Sequence, residues 1–142
     1  MYGKKMMAFA CLLAILIAGC SSSSSVIKAE AFKPFTLKIG QSAEVKNGGF
    51  VFKFINVTQD SRCPSGVQCI AAGFVKVKVN IAQNGESLGD FELALADLPE
   101  LASRNFATYS TIKLQKVDPY PKSAQEKKQA DYSATFVFEQ YK

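Results

Sequence analysis

The chain has 142 residues, of which 48% are hydrophobic and 20% are charged, and its formal net charge is +5. This composition is typical of a single folded domain and excludes a disordered or low-complexity chain. The sequence contains no histidine, which excludes Ser-His-Asp and Cys-His catalysis and the usual histidine-based zinc and copper sites. We therefore expect neither a metal nor another cofactor.

The N-terminus has the three parts of an export signal. Lys4 and Lys5 precede an apolar run of 12 residues, from position 6 to position 17. That run is shorter than the roughly 20 residues of a membrane span and fits the apolar region of a signal peptide. The following Ile17-Ala18-Gly19-Cys20 resembles the bacterial lipobox, with Ile in place of the usual Leu. The resemblance implies removal of residues 1–19 and attachment of a lipid to Cys20, which would hold the chain on a membrane.

The residues after Cys20 indicate where the mature protein lies. Ser21 resembles the outer-membrane sorting default of Gram-negative lipoproteins, which implies an outer-membrane location facing the periplasm. In a Gram-positive cell the same chain would lie on the outer face of the cytoplasmic membrane. Residues 20–33, with their serine run, are predicted to form a flexible tether. The mature chain keeps 15 basic and 12 acidic residues, and a net charge of +3 is too small to indicate a nucleic-acid partner.

Alternation of apolar and polar residues predicts β-strands throughout the mature chain. It is clearest at 75–81 and recurs at 91–95, and Asn84-Gly85 between these segments supplies a tight turn, so the two strands should pair antiparallel. Further strands are predicted at 35–39, 43–46, 50–58, 108–117 and 132–138. About seven strands and no long helical period indicate an all-β fold, an antiparallel β-sandwich (immunoglobulin-like or related) over residues 34–142.

Two cysteines remain once the signal and the lipid site are set aside. Cys11 lies in the signal and Cys20 in the lipobox, which leaves Cys63 and Cys69 as an even pair in an oxidising compartment. We predict that they form a disulfide. The surrounding stretch from Asp60 to Gly73 has no hydrophobic period, and loops of that length in a compact domain are usually functional.

The same stretch resembles a group of uncharacterised bacterial secreted proteins and lipoproteins. Their pattern is D-S-R-C-P-x-x-V-x-C-x-W-x-G with a later Pro-Tyr-Pro, which here is Pro119-Tyr120-Pro121. This chain departs from the pattern at Ala71, where the group usually has Trp. Because the group has no established activity, the resemblance implies a β-rich extracytoplasmic domain and no particular function.

The loop admits three interpretations. Asp60 and Arg62 pair with each other or cap backbone groups, and the disulfide is a staple. Alternatively, the stapled loop presents Asp60, Arg62, Pro64 and Tyr120 to a partner, at a small entropic cost because it is already ordered. A redox role is the third interpretation, although the cysteine spacing is not C-x-x-C.

These features lead to three functional hypotheses. The first is a non-catalytic binding or structural module of the envelope, with an envelope protein or an anionic glycan or lipid as partner, the latter through Lys53, Lys76 and Lys78. The second is an inhibitor of an envelope-targeting hydrolase, a lysozyme or a protease, acting through the Cys63–Cys69 loop. The third is a carboxylate-dependent hydrolase, which would use acidic residues that are close in sequence: Asp90, Glu92 and Asp97.

Overall fold

The computed structural model describes residues 25–122 and 128–141. The predicted signal peptide and Cys20 lie outside these residues, so their cleavage and lipidation stay predictions. Within the described part of the chain, no helix has the length and apolarity needed to cross a membrane.

The described residues form two β-sheets that pack face to face. The first sheet has the strand order β1-β3-β4-β5-β6 and the second has the order β2-β9-β8-β7. The strands in chain order are β1 Val26–Ala29, β2 Pro34–Lys38, β3 Ser42–Val45, β4 Phe50–Asp60, β5 Val75–Gln83, β6 Glu86–Leu95, β7 Ser103–Ala107, β8 Ser110–Asp118 and β9 Ser133–Gln140. Two short 3-10 turns, Pro99–Ala102 and Gln129–Asp131, precede β7 and β9.

The all-β sandwich predicted from the sequence is confirmed. All seven predicted strands are present, and Asn84 and Gly85 form the predicted turn with φ angles of 51° and 88°. Two further strands, β1 and β7, raise the count among the described residues to nine. The two sheets are mostly antiparallel, and one edge departs from that pattern, where β1 pairs with β3 in parallel.

The predicted tether is wrong in its second half. Val26–Ala29 is a strand of the first sheet, Ala29 is buried, and Ile27 packs against the core. A four-residue strand can be held there because β3 supplies its backbone partners and the core covers its apolar side chains. The folded domain therefore begins at Val26 rather than at residue 34.

Alternating side chains from both sheets build the core. The buried residues of β5 are Val75, Val77, Val79 and Ile81, which is the face that the sequence period predicts. Phenylalanines fill the space between the sheets, as in the pair of Phe52 on β4 and Phe138 on β9, whose ring centroids are 5.3 Å apart. Fully burying each such side chain contributes about 1.5–3 kcal/mol.

The two ends of the sandwich differ in character. At the loop end, β4 ends opposite the start of β5 and β8 ends opposite the start of β9. The connection 61–74, here called the disulfide loop, lies at this end, together with the turn that follows β8. The opposite, hairpin end carries the tight turns at residues 46–49, 84–85 and 108–109.

The parallel pairing of β1 fixes the direction in which the domain begins. β4 runs toward the loop end, so its antiparallel neighbour β3 runs toward the hairpin end. β1 is parallel to β3 and begins with Val26 opposite Ser42. Ser25 continues past this pair toward the loop end, where its Oγ accepts a hydrogen bond of 2.8 Å from the Gln41 side chain.

Candidate functional site

The base of the disulfide loop continues the β4–β5 pairing beyond the strands. The amides of Ser61 and Cys63 donate to the carbonyls of Phe74 and Ala72 at 2.8 and 2.9 Å. Gly73 has a φ of +71°, and a Cβ there would lie 1.9 Å from the carbonyl oxygen of Ser61. Only glycine fits this position, because it combines a left-handed backbone with a close approach of the opposite chain.

The predicted disulfide is present beyond this base. Cys63 and Cys69 are bonded, with their Cα atoms 5.9 Å apart. Between them the amide of Val67 donates to the carbonyl of Pro64, and Gly66 takes a φ of +80°. Closing so short a loop contributes about 2 kcal/mol through the entropy of the unfolded chain.

Arg62 and Asp60 form a buried ion pair at the foot of the loop. The guanidinium donates through Nε to Asp60 Oδ1 at 2.8 Å and through Nη2 to Oδ2 at 2.7 Å. The two side chains are only 8% and 9% exposed. Two parallel charge-assisted bonds of this kind fix both the distance and the relative orientation of the groups.

The same guanidinium reaches the second sheet. It donates to the carbonyl of Val117 at 2.7 Å and to that of Pro119 at 3.0 Å. Pro119 follows a cis peptide bond at the end of β8, and the next residue, Tyr120, places its ring centroid 5.0 Å from Arg62 Cζ. Arg62 thus joins the end of β4 to the end of β8.

A second connection between the sheets comes from the segment that precedes β9. The Tyr132 hydroxyl donates to Asp60 Oδ2 at 3.0 Å. Nearby, the Gln129 amide accepts from the backbone N–H of Val57 at 3.0 Å and donates to its carbonyl at 2.9 Å. β3 pairs with β4 only as far as Lys53. Beyond that residue, the Gln129 side chain takes the place of a neighbouring strand at the backbone of Val57. We call the side chains of Asp60, Arg62, Tyr120 and Tyr132 the Arg62 cluster.

The cluster shifts the proton affinity of two of its members. Burial alone would raise the pKa of Asp60, but the hydrogen bonds and charge of Arg62, with the Tyr132 hydrogen bond, hold that pKa below its ordinary value. Burial, together with the hydrogen bond and negative charge of Asp60, raises the pKa of Tyr132 to about 12. The ion pair therefore stays charged, and the tyrosine stays protonated, at neutral pH.

This geometry matches the first interpretation of the loop, in which Asp60 and Arg62 pair, cap backbone groups and work beside a disulfide staple. The prediction that Arg62 is presented outward is wrong, because its donors are directed to Asp60 and to two carbonyls. Contact between a partner and Asp60 would likewise require the ion pair to open. Of the other two candidates, Pro64 is half-buried and Tyr120 is 50% exposed.

The sequence did not single out the apolar tip of the loop. Val67 is 56% exposed and Ile70 is fully exposed, and Ala71, where the resembling proteins usually have Trp, is also on the surface. The amide of Ser65 donates to the carbonyl of the buried Pro121 at 2.9 Å. The loop is therefore held against the Pro119-Tyr120-Pro121 turn.

The acidic residues of the third hypothesis lie elsewhere. Asp90 and Glu92 are exposed on β6, and Asp97 is exposed beyond the end of that strand. Asn80 on the neighbouring β5 donates to Asp90 Oδ1 at 2.8 Å. Among the residues that the structure describes, no three or more His, Cys, Asp or Glu side chains are grouped so that they could hold a metal ion.

The lysines proposed as a basic stripe lie on the outer face of two adjacent strands, β4 and β5. Lys53 on β4 is opposite Asn80 on β5. Lys78 on β5 has Glu92 as its neighbour on β6, which offsets its charge, and Lys76 lies over the ring of Phe74 at 5.3 Å. The three lysines therefore share one face of the first sheet, where Glu92 lies beside Lys78.

The chain matches no protein-family model, no curated protein and no solved structure. Its function must therefore be argued from its own sequence and geometry.

We expect Arg62→Ala to lower the free energy of unfolding by about 3–5 kcal/mol, because it leaves the buried Asp60 carboxylate with no positive charge beside it and only the Tyr132 hydroxyl as a side-chain partner. Arg62→Lys should restore only part of this loss, since an ammonium cannot reproduce the two-pronged contact. Equilibrium urea unfolding of the unlipidated Cys20→Ser chain measures both. As a control, Lys28→Ala breaks an exposed pair with Glu44 and should cost about 1 kcal/mol or less. Equal losses for Arg62→Ala and Lys28→Ala would contradict a structural role for the cluster.

The Arg62 cluster also predicts how stability depends on pH. The pKa of Tyr132 is raised to about 12 from about 10 in an unfolded chain, so its contribution is complete below pH 10 and is lost as pH rises through 12. Asp60 has a lowered pKa, so its contribution is present above about pH 4 and is lost as pH falls through the folded value. Tyr132→Phe should therefore flatten the alkaline fall in unfolding free energy, while Tyr109→Phe, at a 69% exposed position, should not. Parallel alkaline curves for the two variants would refute the coupling.

Proposed function

We propose that this chain is a lipid-anchored, non-catalytic binding or structural module of the cell envelope. One observation carries the binding role: Asp60, Arg62 and Tyr132 are bonded to one another at the foot of the disulfide loop, whereas Val67 and Ile70 of that loop are exposed. A loop fixed in this way presents apolar side chains without having to be ordered on binding.

The chemistry of the Arg62 cluster supports a non-catalytic role. Asp60 is shielded from solvent, which by itself would raise its pKa. Its oxygens, however, accept hydrogen bonds from Arg62 and Tyr132, and these lower it. A carboxylate whose pKa is lowered by such partners is poorly suited to act as a general acid near neutral pH. Asp90 and Glu92, the residues of the hydrolase hypothesis, are solvent-exposed on a strand, where charged side chains are ordinary.

Two features support an extracytoplasmic, lipid-anchored location. The segment before Cys20 has the composition of a signal peptide that ends in a lipobox. The Cys63–Cys69 disulfide is typical of a compartment that keeps thiols oxidised. Our proposal is therefore a protein held by lipid on Cys20, on the outer membrane facing the periplasm in a Gram-negative cell or on the outer face of the cytoplasmic membrane otherwise.

The same loop favours a second candidate function, inhibition of a lysozyme or a protease. Its base is paired with backbone hydrogen bonds, its ends are joined by the disulfide, and its tip projects small and apolar side chains. Such a preordered loop can occupy an enzyme cleft at little entropic cost. With Arg62 held internally, Val67 and Ile70 are the residues that would make the contact.

Mass spectrometry of the chain purified from cell membranes tests the anchor. The N-terminal peptide should begin at residue 20 and carry a lipid on Cys20, and Cys20→Ser should move the chain to the soluble fraction. A Cys63→Ser, Cys69→Ser double variant serves as the control and should keep the lipid and the membrane location. An unmodified residue 20, or free thiols at 63 and 69 in freshly isolated envelopes, would refute the proposal.

Inhibition assays against a panel of lysozymes and proteases test the second candidate. An inhibitor should lose at least about tenfold in affinity on Ile70→Ser, which corresponds to the removal of one buried contact of about 1.4 kcal/mol. Leu88→Ser, at a partly exposed position on β6, is the matched control and should not change the affinity. No inhibition of any enzyme by the wild-type chain would exclude this candidate.

A further inference from the structure

We propose that the tip of the disulfide loop rests on the same bilayer that holds the anchor, with Val67 and Ile70 entering the headgroup region. This inference rests on the proposed lipidation of Cys20 and names the bilayer interface as the partner of the loop end. Three features support it: the length of chain between the anchor and the domain, the direction of β1, and the side chains at the loop end.

The chain between the anchor and the domain is short. Ser25 already bonds to the domain through Gln41, so four residues, 21–24, lie between Cys20 and the first described contact. The five residue-to-residue steps from Cys20 to Ser25 span at most about 17 Å even when fully extended. The domain therefore cannot move far from the bilayer, and one of its surfaces must lie against or close to it.

The direction of β1 selects the loop end as that surface. Val26 lies level with Ser42 and, across β3, with Lys53 of β4. From Lys53 to Asp60, where β4 ends, the strand covers about 20 Å at roughly 3.3 Å per residue, allowing for its two irregularities. Because Ser25 points the same way, a tether that continues straight brings Cys20 close to the depth of the loop end.

The loop end has the side chains of a membrane interface. Val67 and Ile70 are exposed at the tip, and the half-exposed Tyr120 has an apolar ring and a polar hydroxyl, a combination enriched at the level of lipid headgroups. Lys122, exposed directly after the Pro119-Tyr120-Pro121 turn, adds a positive charge that anionic lipids attract. The hairpin end also carries exposed aromatic side chains, Phe32, Tyr109 and Tyr141, so the direction of β1, rather than side-chain composition alone, selects the loop end.

The lipid anchor and the loop make different contributions, because they bury very different amounts of apolar surface. Acyl chains bury many methylene groups and set the strength of attachment, whereas two aliphatic side chains add little by themselves. Once the lipid is inserted, however, the loop is presented to the bilayer at a high effective concentration, so even a weak contact orients the domain. The staple and the Arg62 cluster keep the tip in the conformation that makes this contact.

The absence of tryptophan from the sequence allows a direct test. Ile70→Trp is introduced into the full lipidated chain, which is reconstituted into vesicles of phosphatidylethanolamine and phosphatidylglycerol with brominated acyl chains. We expect blue-shifted emission and quenching several-fold stronger than for Tyr109→Trp, the matched control at an exposed position of the hairpin end. Both substituted positions are on the surface, so both variants should fold.

The outcomes separate this inference from the proposed function. If mass spectrometry shows lipid on Cys20 but Ile70→Trp emits as in water and is not quenched, the bilayer contact is refuted and the anchor stands. Equal quenching of Ile70→Trp and Tyr109→Trp would refute the orientation. A blue shift of Ile70→Trp that appears only when a soluble envelope extract is added would assign the loop to a protein partner instead, and would also overturn the inference. An unmodified Cys20 would refute the anchor itself.

Discussion

The ion pair between Arg62 and Asp60 is the interaction on which the organisation of the loop end depends. Moving two charges out of water is costly, and the cost is recovered only when every donor and acceptor is well placed. Here the carboxylate receives two bonds from the guanidinium and one from Tyr132, and the guanidinium also reaches the carbonyls of Val117 and Pro119. Removing either partner would leave the other buried group without its charge partner, so the pair links the ends of β4 and β8.

The rigidity of the disulfide loop follows from that alignment. The ion pair fixes the foot of the loop, backbone bonds continue the β4–β5 pairing to Cys63, and the disulfide closes the remainder. The Ser65 amide then donates to the carbonyl of Pro121. Arg62 contacts the same turn through the carbonyl of Pro119. These constraints come from different kinds of interaction, and together they fix the backbone of a loop that carries exposed apolar side chains.

Much of the fold was predictable because it depends on local patterns. The alternation over 75–81 identifies a half-buried strand, and Asn84-Gly85 identifies its hairpin, since both signals lie within a few consecutive residues. The Cys63–Cys69 pairing was predictable by elimination. In contrast, β1 has only four residues, and it forms a strand because it pairs with a parallel strand 16 positions away. Its own residues carry no local pattern that predicts a strand.

The candidate site was harder to predict for the same reason. The sequence identifies Asp60 and Arg62 as unusual, but whether an arginine points outward or inward depends on what the fold places beside it. The carbonyls of Val117 and Pro119 lie 55 and 57 residues from Arg62 in the sequence. Gln129 bonds to Val57, which is 72 residues away. Backbone acceptors have no sequence signature at all, so the inward turn of Arg62 could not be read from residue types.

The boundary of the folded domain has a mechanical consequence for a chain anchored at Cys20. A flexible tether of 14 residues, as residues 20–33 would have been, has a root-mean-square length of about 21 Å and leaves the domain free to rotate above a bilayer. With β1 at the edge of the first sheet, the distance from Cys20 to the described domain is five residue-to-residue steps, whose full extension is about 17 Å. A domain held so closely has a limited set of orientations, and its interactions are confined to the membrane surface and to whatever lies immediately above it. If Cys20 is lipidated as proposed, the short tether and the fixed loop would act together: the first would limit how far the domain can be from the bilayer, and the second would determine which side chains meet it.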